Sequence, residues 1–417
     1  MLTNAPRGTK DILPRQSYKW NFVEGKFRAI CEKYGFSEIR TPMFEHTELF
    51  QRGVGGSSDI VRKEMYTFED RGKRSITLKP EGTAPVVRSF IENKLYAETQ
   101  PSKYCYITPC FRYEKPQSGR LREFHQFGIE IFGSKSMTAD AEVISLASDF
   151  LEDLGIKDLE LRINSVGCPV CRANYRKILQ DYFRPHLNEL CSDCKERFEN
   201  NPMRIIDCKV DSCKTIAKAA PKMLEYLCDD CKATFDDVRH NLDTAGVKYT
   251  VDPTIVRGLD YYTKTAFEFV TTEIGAQGTV CGGGRYDHLI EEVGGPETPG
   301  VGFGLGIERL LMLMESQNIE IEDTSRPAAL FAFMGNAAKD FVIKTVRNFR
   351  KRGLHVEMDL NERNFKGQLK YADRIGAKYT VLIGDNELQN QKATLKIMAE
   401  SKQEEVDFSL LFDRLSK

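Results

Sequence analysis

The sequence predicts an α+β domain built on an antiparallel sheet, interrupted by a cysteine-rich, mainly helical insertion and followed by a small α/β domain. Three observations carry this. Aromatic and β-branched runs separated by turn residues crowd positions 61–135 and return, rich in glycine, at 248–306. Eight of the 12 cysteines fall between positions 168 and 231. The last 90 residues alternate short apolar runs with helical periods. The boundaries that follow are 1–165 and 241–320 for the two parts of the sheet domain, 166–240 for the insertion and 327–417 for the C-terminal domain.

Each element has its own signal. In 17–34, Trp20, Val23, Phe27, Ile30 and Tyr34 recur three or four apart, so one helical face is apolar, and Gly35 ends the helix. FSEIRTP then runs extended to Pro42. MYTFED, SITLKP, KYCYITPCFRYE and FHQFGIEIFG read as strands with few helical periods between them. Residues 137–155 read as a helix from near Thr138 to Gly155, and 307–317 as a short apolar helix. NIEIEDTSRP, at 318–327, is a polar linker closed by proline. Beyond it AALFAFM, LHVEMDL and YTVLIG read as strands, with helices near 336–352 and 365–376, so a mainly parallel sheet is expected.

Composition narrows the class. Hydrophobic residues make up 41% and charged residues 29%, ordinary for a globular protein. Sixty basic residues against 61 acidic ones leave a net charge of −1, which neither supports nor excludes a nucleic-acid partner, because a local basic patch suffices. No stretch approaches the ~18 apolar residues of a membrane span. MLTNAPRGTKDILP has no apolar run behind a basic start, so a secretory signal is not expected and a cytoplasmic address is. In that reducing compartment, clustered cysteines point to metal or redox chemistry rather than a disulfide scaffold.

Four clusters carry possible chemistry. TPCFRYE and the following KPQSGRLREFHQFGIE place Arg112, Arg120 and Arg122 around a loop with Gly119 at its tip. Arginine forks suit phosphate, although a solvated hairpin with surface arginines has the same pattern. GFGLGIERL, 302–310, alternates glycines so that a strand can pass close to a flat or bulky group, and its Arg309 opens a helix whose N-terminus favours anions. Close packing alone also explains such glycines. VRGLDYYTKTAFEF, 256–269, gathers Arg257, Asp260, Tyr261 and Tyr262, which suits a small polar ligand or a partly exposed strand. KPEGTA and GTVCGGGRYD add Glu81, Gly82, Thr83 and a triple glycine, again open to a turn reading. Neither a GxGxxG dinucleotide fingerprint nor a GxxxxGK[ST] loop occurs.

Taken in order, these clusters closely resemble the histidyl-tRNA synthetase family. FRYE and GFGLGIERL resemble the second and third signatures of class II aminoacyl-tRNA synthetases. The opening helix, strand and Pro42 resemble the weaker first signature, which usually builds a dimer interface. RGLDYY and GGGRYD point to the histidine member, and RGTKDILP and PEGTAP agree. The resemblance covers nearly the whole chain. It implies an antiparallel sheet of six or more strands holding ATP in a bent form, and a C-terminal anticodon-binding domain. It also implies Mg2+ on the outer phosphates, L-histidine and a histidine-specific tRNA as partners, and a homodimer.

By the same resemblance, Arg112 contacts the α-phosphate, Arg120 the outer phosphates, and Arg309 the γ-phosphate near adenine. Glu114 joins the ATP site, and Phe124 packs on the adenine ring. Glu81, Gly82 and Thr83 bind the histidine ammonium with help from Gln126, while Glu130, Tyr261 and Tyr262 line the side-chain end. Arg257 is the catalytic cation, with Arg112, bridging the carboxylate and α-phosphate where related enzymes place a metal. Histidine selection requires reading both ring nitrogens, so a glutamate and a tyrosine hydroxyl suit the site.

The shared family motifs do not require the cysteine block. Cys168/Cys171, Cys191/Cys194 and Cys228/Cys231 have CxxC spacing, and Cys208 and Cys213 form a looser pair. Two CxxC turns complete a structural zinc site, so the eight can hold two ions, or one ion with spare thiols. Reduced cysteines used as apolar fillers, or an iron–sulfur cluster, remain alternatives. The block is expected to be a structural module near the tRNA acceptor arm. Two rival functions stand beside the main one. One is a catalytically inactive paralogue acting as regulatory subunit of a histidine-biosynthetic phosphoribosyltransferase, but such paralogues usually lose key arginines and the anticodon domain. The other is a synthetase for glycine, threonine or proline, against which RGLDYY argues.

Overall fold

The computed structural model describes residues 3–55, 58–273, 278–400 and 402–416. Met1, Leu2 and residues 274–277 of the glycine-rich stretch lie outside them. The chain divides into two compact units, Met1–Ile12 with Lys19–Glu320, and Leu13–Tyr18 with Ile321–Lys417.

In the first unit the sheet has eight strands. Their order is Ser37–Glu38, Ser102–Phe111, Glu123–Phe132, Gly300–Gly306, Thr279–Arg285, Thr263–Val270, Glu160–Ser165 and Thr250–Val251. The six central strands are antiparallel throughout. Only the two short edge strands pair parallel, including the extended segment after the first helix. Opening helix Pro14–Lys33 buries Val23, Phe27 and Ile30 of the predicted stripe together with Cys31, while Trp20 and Tyr34, the latter just past the helix, are half-buried.

Two elements depart from the sequence reading. MYTFED and SITLKP do not join the large sheet. They form a separate three-stranded sheet with Phe44–His46. Between the predicted strands lies helix Thr83–Glu92, which the sequence reading passed over. KPEGTA is open to a turn reading, yet it leads into this helix, whose Pro85 is tolerated in the first turn, where no intrahelical N–H bond is lost. Val86, Val87 and Phe90 then bury its apolar face.

The central strands sort their residues by parity, because successive side chains point to opposite sheet faces. Phe127, Ile129 and Ile131 stand opposite Leu305, Phe303 and Val301 on one face. Phe27 stacks on Phe127 at 4.5 Å, and Phe150 of helix Thr138–Asp153 meets Phe127 edge-on at 5.8 Å. The other face carries Phe124, Gln126, Gly128 and Glu130 beside Gly302, Gly304 and Gly306. Bulky neighbours are missing there, so a cleft opens above the glycines.

The cysteine-rich segment is helical. Pro169–Phe183, Ser192–Asn200, Met203–Ile206, Asp211–Lys218 and Asp229–Thr244 are its α-helices. Its buried Tyr175, Leu179, Phe183 and Cys194 belong to the same apolar cluster as Tyr106, Tyr261, Tyr262 and Tyr286 under the cleft.

In the second unit the sheet order is Val356–Met358, Ala329–Phe333, Tyr379–Ile383, Lys392–Ile397 and Lys402–Asp407. The first three strands are parallel, and helices Asn336–Lys351 and Phe365–Arg374 connect them. The last two add antiparallel, so the sheet is mixed rather than mainly parallel. This final hairpin escaped the sequence reading because KQEEVD is almost wholly exposed and carries no apolar run.

Candidate active site

A cleft open to solvent lies over the glycine-bearing face of the sheet. One wall comes from the hairpin of Ser102–Phe111 and Glu123–Phe132, whose connecting loop turns at Gly119 with φ +70°. Arg112, Glu114, Arg120 and Phe124 line this end. Arg112 donates from Nε to the Pro80 carbonyl at 2.8 Å, and its guanidinium stands 5.1 Å from the Phe124 ring centre. Arg120 donates to Glu114 at 2.8 Å. Arg122 turns elsewhere, over the Tyr113 ring at 3.9 Å.

Arg309 lies in the first turn of helix Ile307–Ser316 and donates to the Thr279 carbonyl at 2.7 Å. Burial and the neighbouring Arg120 guanidinium push its pKa below the usual arginine range. The three arginines at this end therefore gain from an added anion, which relieves their mutual repulsion. Glu308, from the same helix, also lines the cleft, and its carboxylate holds His125 Nδ1 at 2.9 Å.

The opposite end is a nest of hydroxyls. Glu81, Thr83, Tyr106, Gln126, Tyr261 and Tyr262 line it. The Glu81 carboxylate caps helix Thr83–Glu92, accepting the Thr83 and Ala84 N–H groups at 2.8 and 2.7 Å. Gly82 does not line the cleft. A Cβ there would stand 2.2 Å from the Tyr106 ring, so this glycine makes room for that ring. Gly128, where the distance is 2.1 Å, does the same from below.

Glu130 is fully buried against Thr83 and Tyr106, which line the cleft at the end where the resemblance puts it. There it accepts from Thr83 Oγ1 at 2.7 Å, from the Tyr106 hydroxyl at 3.0 Å and from the Tyr286 hydroxyl. Burial raises its pKa to about 8, although the Tyr286 and Thr83 hydrogen bonds pull the other way. Gly302 exists for this carboxylate, since a Cβ there would stand 1.9 Å from Glu130 Oε2.

Arg257 lines the cleft between the two ends. It pairs with Glu268, and its guanidinium carbon stands 5.2 Å from the Tyr262 ring centre. Burial opposes its charge, but Tyr262 and Glu268 more than compensate and hold its pKa above the usual range. Glu268 also accepts from Thr279 Oγ1 at 2.9 Å. Tyr106, Glu268, Glu308 and Gly282 escaped the sequence reading. Strand parity would have found the first two and Gly282, because all fall on the glycine-bearing face. Arg285 of GGGRYD is structural: fully buried, it grips the equally buried Asp140 of the helix behind the sheet.

The cysteines assemble into two groups of four among the described residues. Cys168, Cys171, Cys228 and Cys231 form the first, and Cys191, Cys194, Cys208 and Cys213 the second. Within each group the sulfurs lie within 4.8 Å of one another. No helix among the described residues is long and apolar enough to cross a membrane.

The chain is similar along nearly its whole length to known proteins. A family model described as histidyl-tRNA synthetase matches residues 8–310, and one described as an anticodon binding domain matches 329–417. The histidine–tRNA ligase of Caldanaerobacter subterraneus subsp. tengcongensis is 60% identical over 417 residues, covering 100% of this chain and 99% of its own. The crystal structure of apo Staphylococcus aureus histidyl-tRNA synthetase superposes with a TM-score of 0.82 at 41% identity, covering 99% of this chain and 100% of that one. An ATP phosphoribosyltransferase regulatory subunit/histidyl-tRNA synthetase from Bacillus halodurans shares the fold at 21% identity and a TM-score of 0.66, over 92% of this chain and 98% of its own.

Proposed function

Since the chain belongs to the histidyl-tRNA synthetase family, we propose that the cleft between Arg309 and Tyr261 is where the family's reaction takes place. The chain activates L-histidine with ATP, then transfers the histidine to the 3′ end of its tRNA, releasing AMP and pyrophosphate. The observation that carries the placement is Arg257. Its charge is held by Glu268 and Tyr262: Tyr262 belongs to the hydroxyl nest, and Glu268 accepts from Thr279, whose carbonyl Arg309 holds.

In this reading ATP lies along Arg112, Arg120 and Arg309, with adenine against Phe124 and Glu114 beside it. The histidine carboxylate attacks the α-phosphorus, and pyrophosphate leaves. Negative charge gathers on the phosphoryl oxygens in the transition state, so Arg257 and Arg112, already in place, stabilise it more than the ground state. Mg2+, when bound, screens the outer phosphates, and the Glu114 and Glu308 carboxylates are oxygen donors of the kind it accepts. The terminal ribose of the tRNA then attacks the adenylate.

Glu81 and Gln126 receive the histidine ammonium. Glu130 acts through its neighbours. Hydroxyls that donate to its carboxylate turn their remaining lone pairs outward, so Thr83 and Tyr106 become acceptors for N–H groups of the ligand. Tyr261 and Tyr262 close the ring end. A ligand lacking those groups leaves buried acceptors unpaired, which supports selection by ~10⁴-fold without editing.

The finer assignments complete the reading. Residues 329–417 bind the anticodon stem. The enzyme works in the cytoplasm as a homodimer, and the exposed Met43, Phe44 and Phe68 supply apolar surface for the second copy. The cysteine block holds structural zinc. The regulatory-subunit alternative is set aside, because Arg112, Arg257 and Arg309 all line the cleft and the anticodon-binding domain is present. Arg257→Ala tests the placement. Pyrophosphate exchange falls by at least about 10²-fold while calorimetry still detects histidine binding. Near-parental exchange overturns the role of Arg257.

A further inference from the structure

The cysteine groups take no part in the chemistry of the cleft, yet their helices reach its wall. A tetrahedral zinc site with metal–sulfur bonds of about 2.3 Å has sulfur–sulfur edges of about 3.8 Å. The Cys168 and Cys171 sulfurs are 3.6 Å apart, and those of Cys191 and Cys208 are 3.9 Å apart. These spacings far exceed a disulfide bond of about 2.05 Å and match two ligands on one ion. Each group also receives a backbone donor. The Cys228 N–H points at Cys171 Sγ at 3.1 Å, and the Cys191 N–H at Cys213 Sγ at 3.2 Å.

One local design recurs three times. Cys168, Cys191 and Cys228 each stand at the N-cap of a helix, and the second cysteine of each CxxC lies in its first turn. The partial positive charge of a helix N-terminus favours thiolate there. Four thiolates within 4.8 Å of one another repel strongly unless a cation sits among them.

The same helices grip the loop Arg257–Tyr262 at two points. Arg172, the residue after Cys171, donates from Nη1 to the carbonyls of Asp260 and Tyr262 at 3.0 and 2.9 Å. Asn201, between Cys194 and Cys208, donates to Asp260 Oδ1 at 2.9 Å. The loop held this way carries Arg257, Tyr261 and Tyr262 into the cleft.

We propose that the two cysteine groups bind one zinc ion each and that the pair of ions positions the loop Arg257–Tyr262, the first through Arg172 and the second through Asn201. Arg172 and Asn201 are positioning residues, and histidine affinity depends on zinc occupancy. This inference rests on the zinc reading above and adds the division into two ions and their link to the cleft.

The test measures metal content by mass spectrometry on the full chain purified without chelator, together with histidine KM and kcat in pyrophosphate exchange. About two zinc ions per chain are expected in the parent and in Arg172→Met, and about one in each of Cys168→Ser/Cys171→Ser and Cys191→Ser/Cys194→Ser. Arg172→Met raises the histidine KM about tenfold with a smaller change in kcat. If the serine variants do not fold, parent protein grown with Co2+ in place of zinc gives the tetrathiolate absorption of two ions per chain. Active parent protein with less than one metal ion per chain, or iron in place of zinc, overturns the zinc reading. Two zinc ions per chain with an unchanged histidine KM in Arg172→Met overturns the link to the loop and leaves the zinc reading standing.

Discussion

Gly282→Ala puts a single methyl group against Arg257. A Cβ at Gly282 stands 2.6 Å from Arg257 Nη1, 2.8 Å from Nη2 and 3.0 Å from the guanidinium carbon. Such atoms come to rest at about 3.5 Å or more, so the guanidinium must withdraw by about 1 Å. Its far end is flexible, and the strand backbone at Gly282 has no positive φ, so folding is little affected. Activity is not spared. A catalytic group misplaced by about 1 Å costs about 10²-fold in rate, or about 2.7 kcal/mol of transition-state stabilisation. The assay is histidine-dependent exchange of labelled pyrophosphate into ATP, with thermal melting to check the fold. Gly25→Ala is the control, since a Cβ there meets nothing within 4 Å and Gly25 lies in the opening helix, outside the cleft lining. Exchange near the parental rate in folded Gly282→Ala protein refutes the placement of Arg257 at the reacting phosphate.

Three further predictions follow from the same geometry. Glu130 has its pKa raised to about 8 by burial, so kcat/KM for histidine climbs with pH through about 8 as the carboxylate forms and fixes the three hydroxyls; Glu130→Gln abolishes that limb, which a pH profile of exchange detects. The folded state holds this proton longer than the unfolded chain, so Glu130 costs stability increasingly from about pH 4.5 to about pH 8, and melting curves of Glu130→Gln lack that decline. Asp140→Ala leaves buried Arg285 with Asp287, at 3.1 Å, as its remaining acidic partner, costing about 3 kcal/mol and lowering the melting temperature by roughly 10 °C in a calorimetric scan. Glu268→Gln keeps the shape but removes the charge facing Arg257, and exchange falls about tenfold while histidine binding by calorimetry changes little.

Much of this site was legible because its residues occur in contiguous, unusual runs. FRYE, RGLDYY and GFGLGIERL each concentrate charge, aromatic rings or glycines within a few positions, and the fold brings all three runs to one cleft. Five of the six antiparallel strands were visible for a similar reason, in dense aromatic and glycine-alternating patterns, whereas Glu160–Ser165, ELRINS, carries neither and was passed over. What escaped depends on contacts between distant segments. The partners of Glu130 were hidden, because the Tyr286 hydroxyl that reaches its carboxylate comes from 156 positions away. Glu268 sits in an ordinary strand, and its pairing with Arg257 is set by the turn between them. Helix Thr83–Glu92 was hidden because KPEGTA reads as a turn as readily as a helix start. The two cysteine groups pair by three-dimensional proximity, which spacing alone left open.

The central claim is activation of histidine in this cleft, and amino-acid-dependent pyrophosphate exchange with each of the twenty amino acids tests it most directly. Exchange with histidine alone is the predicted result. Folded protein that binds histidine yet exchanges with none of the twenty, or that exchanges with a different amino acid, contradicts the account.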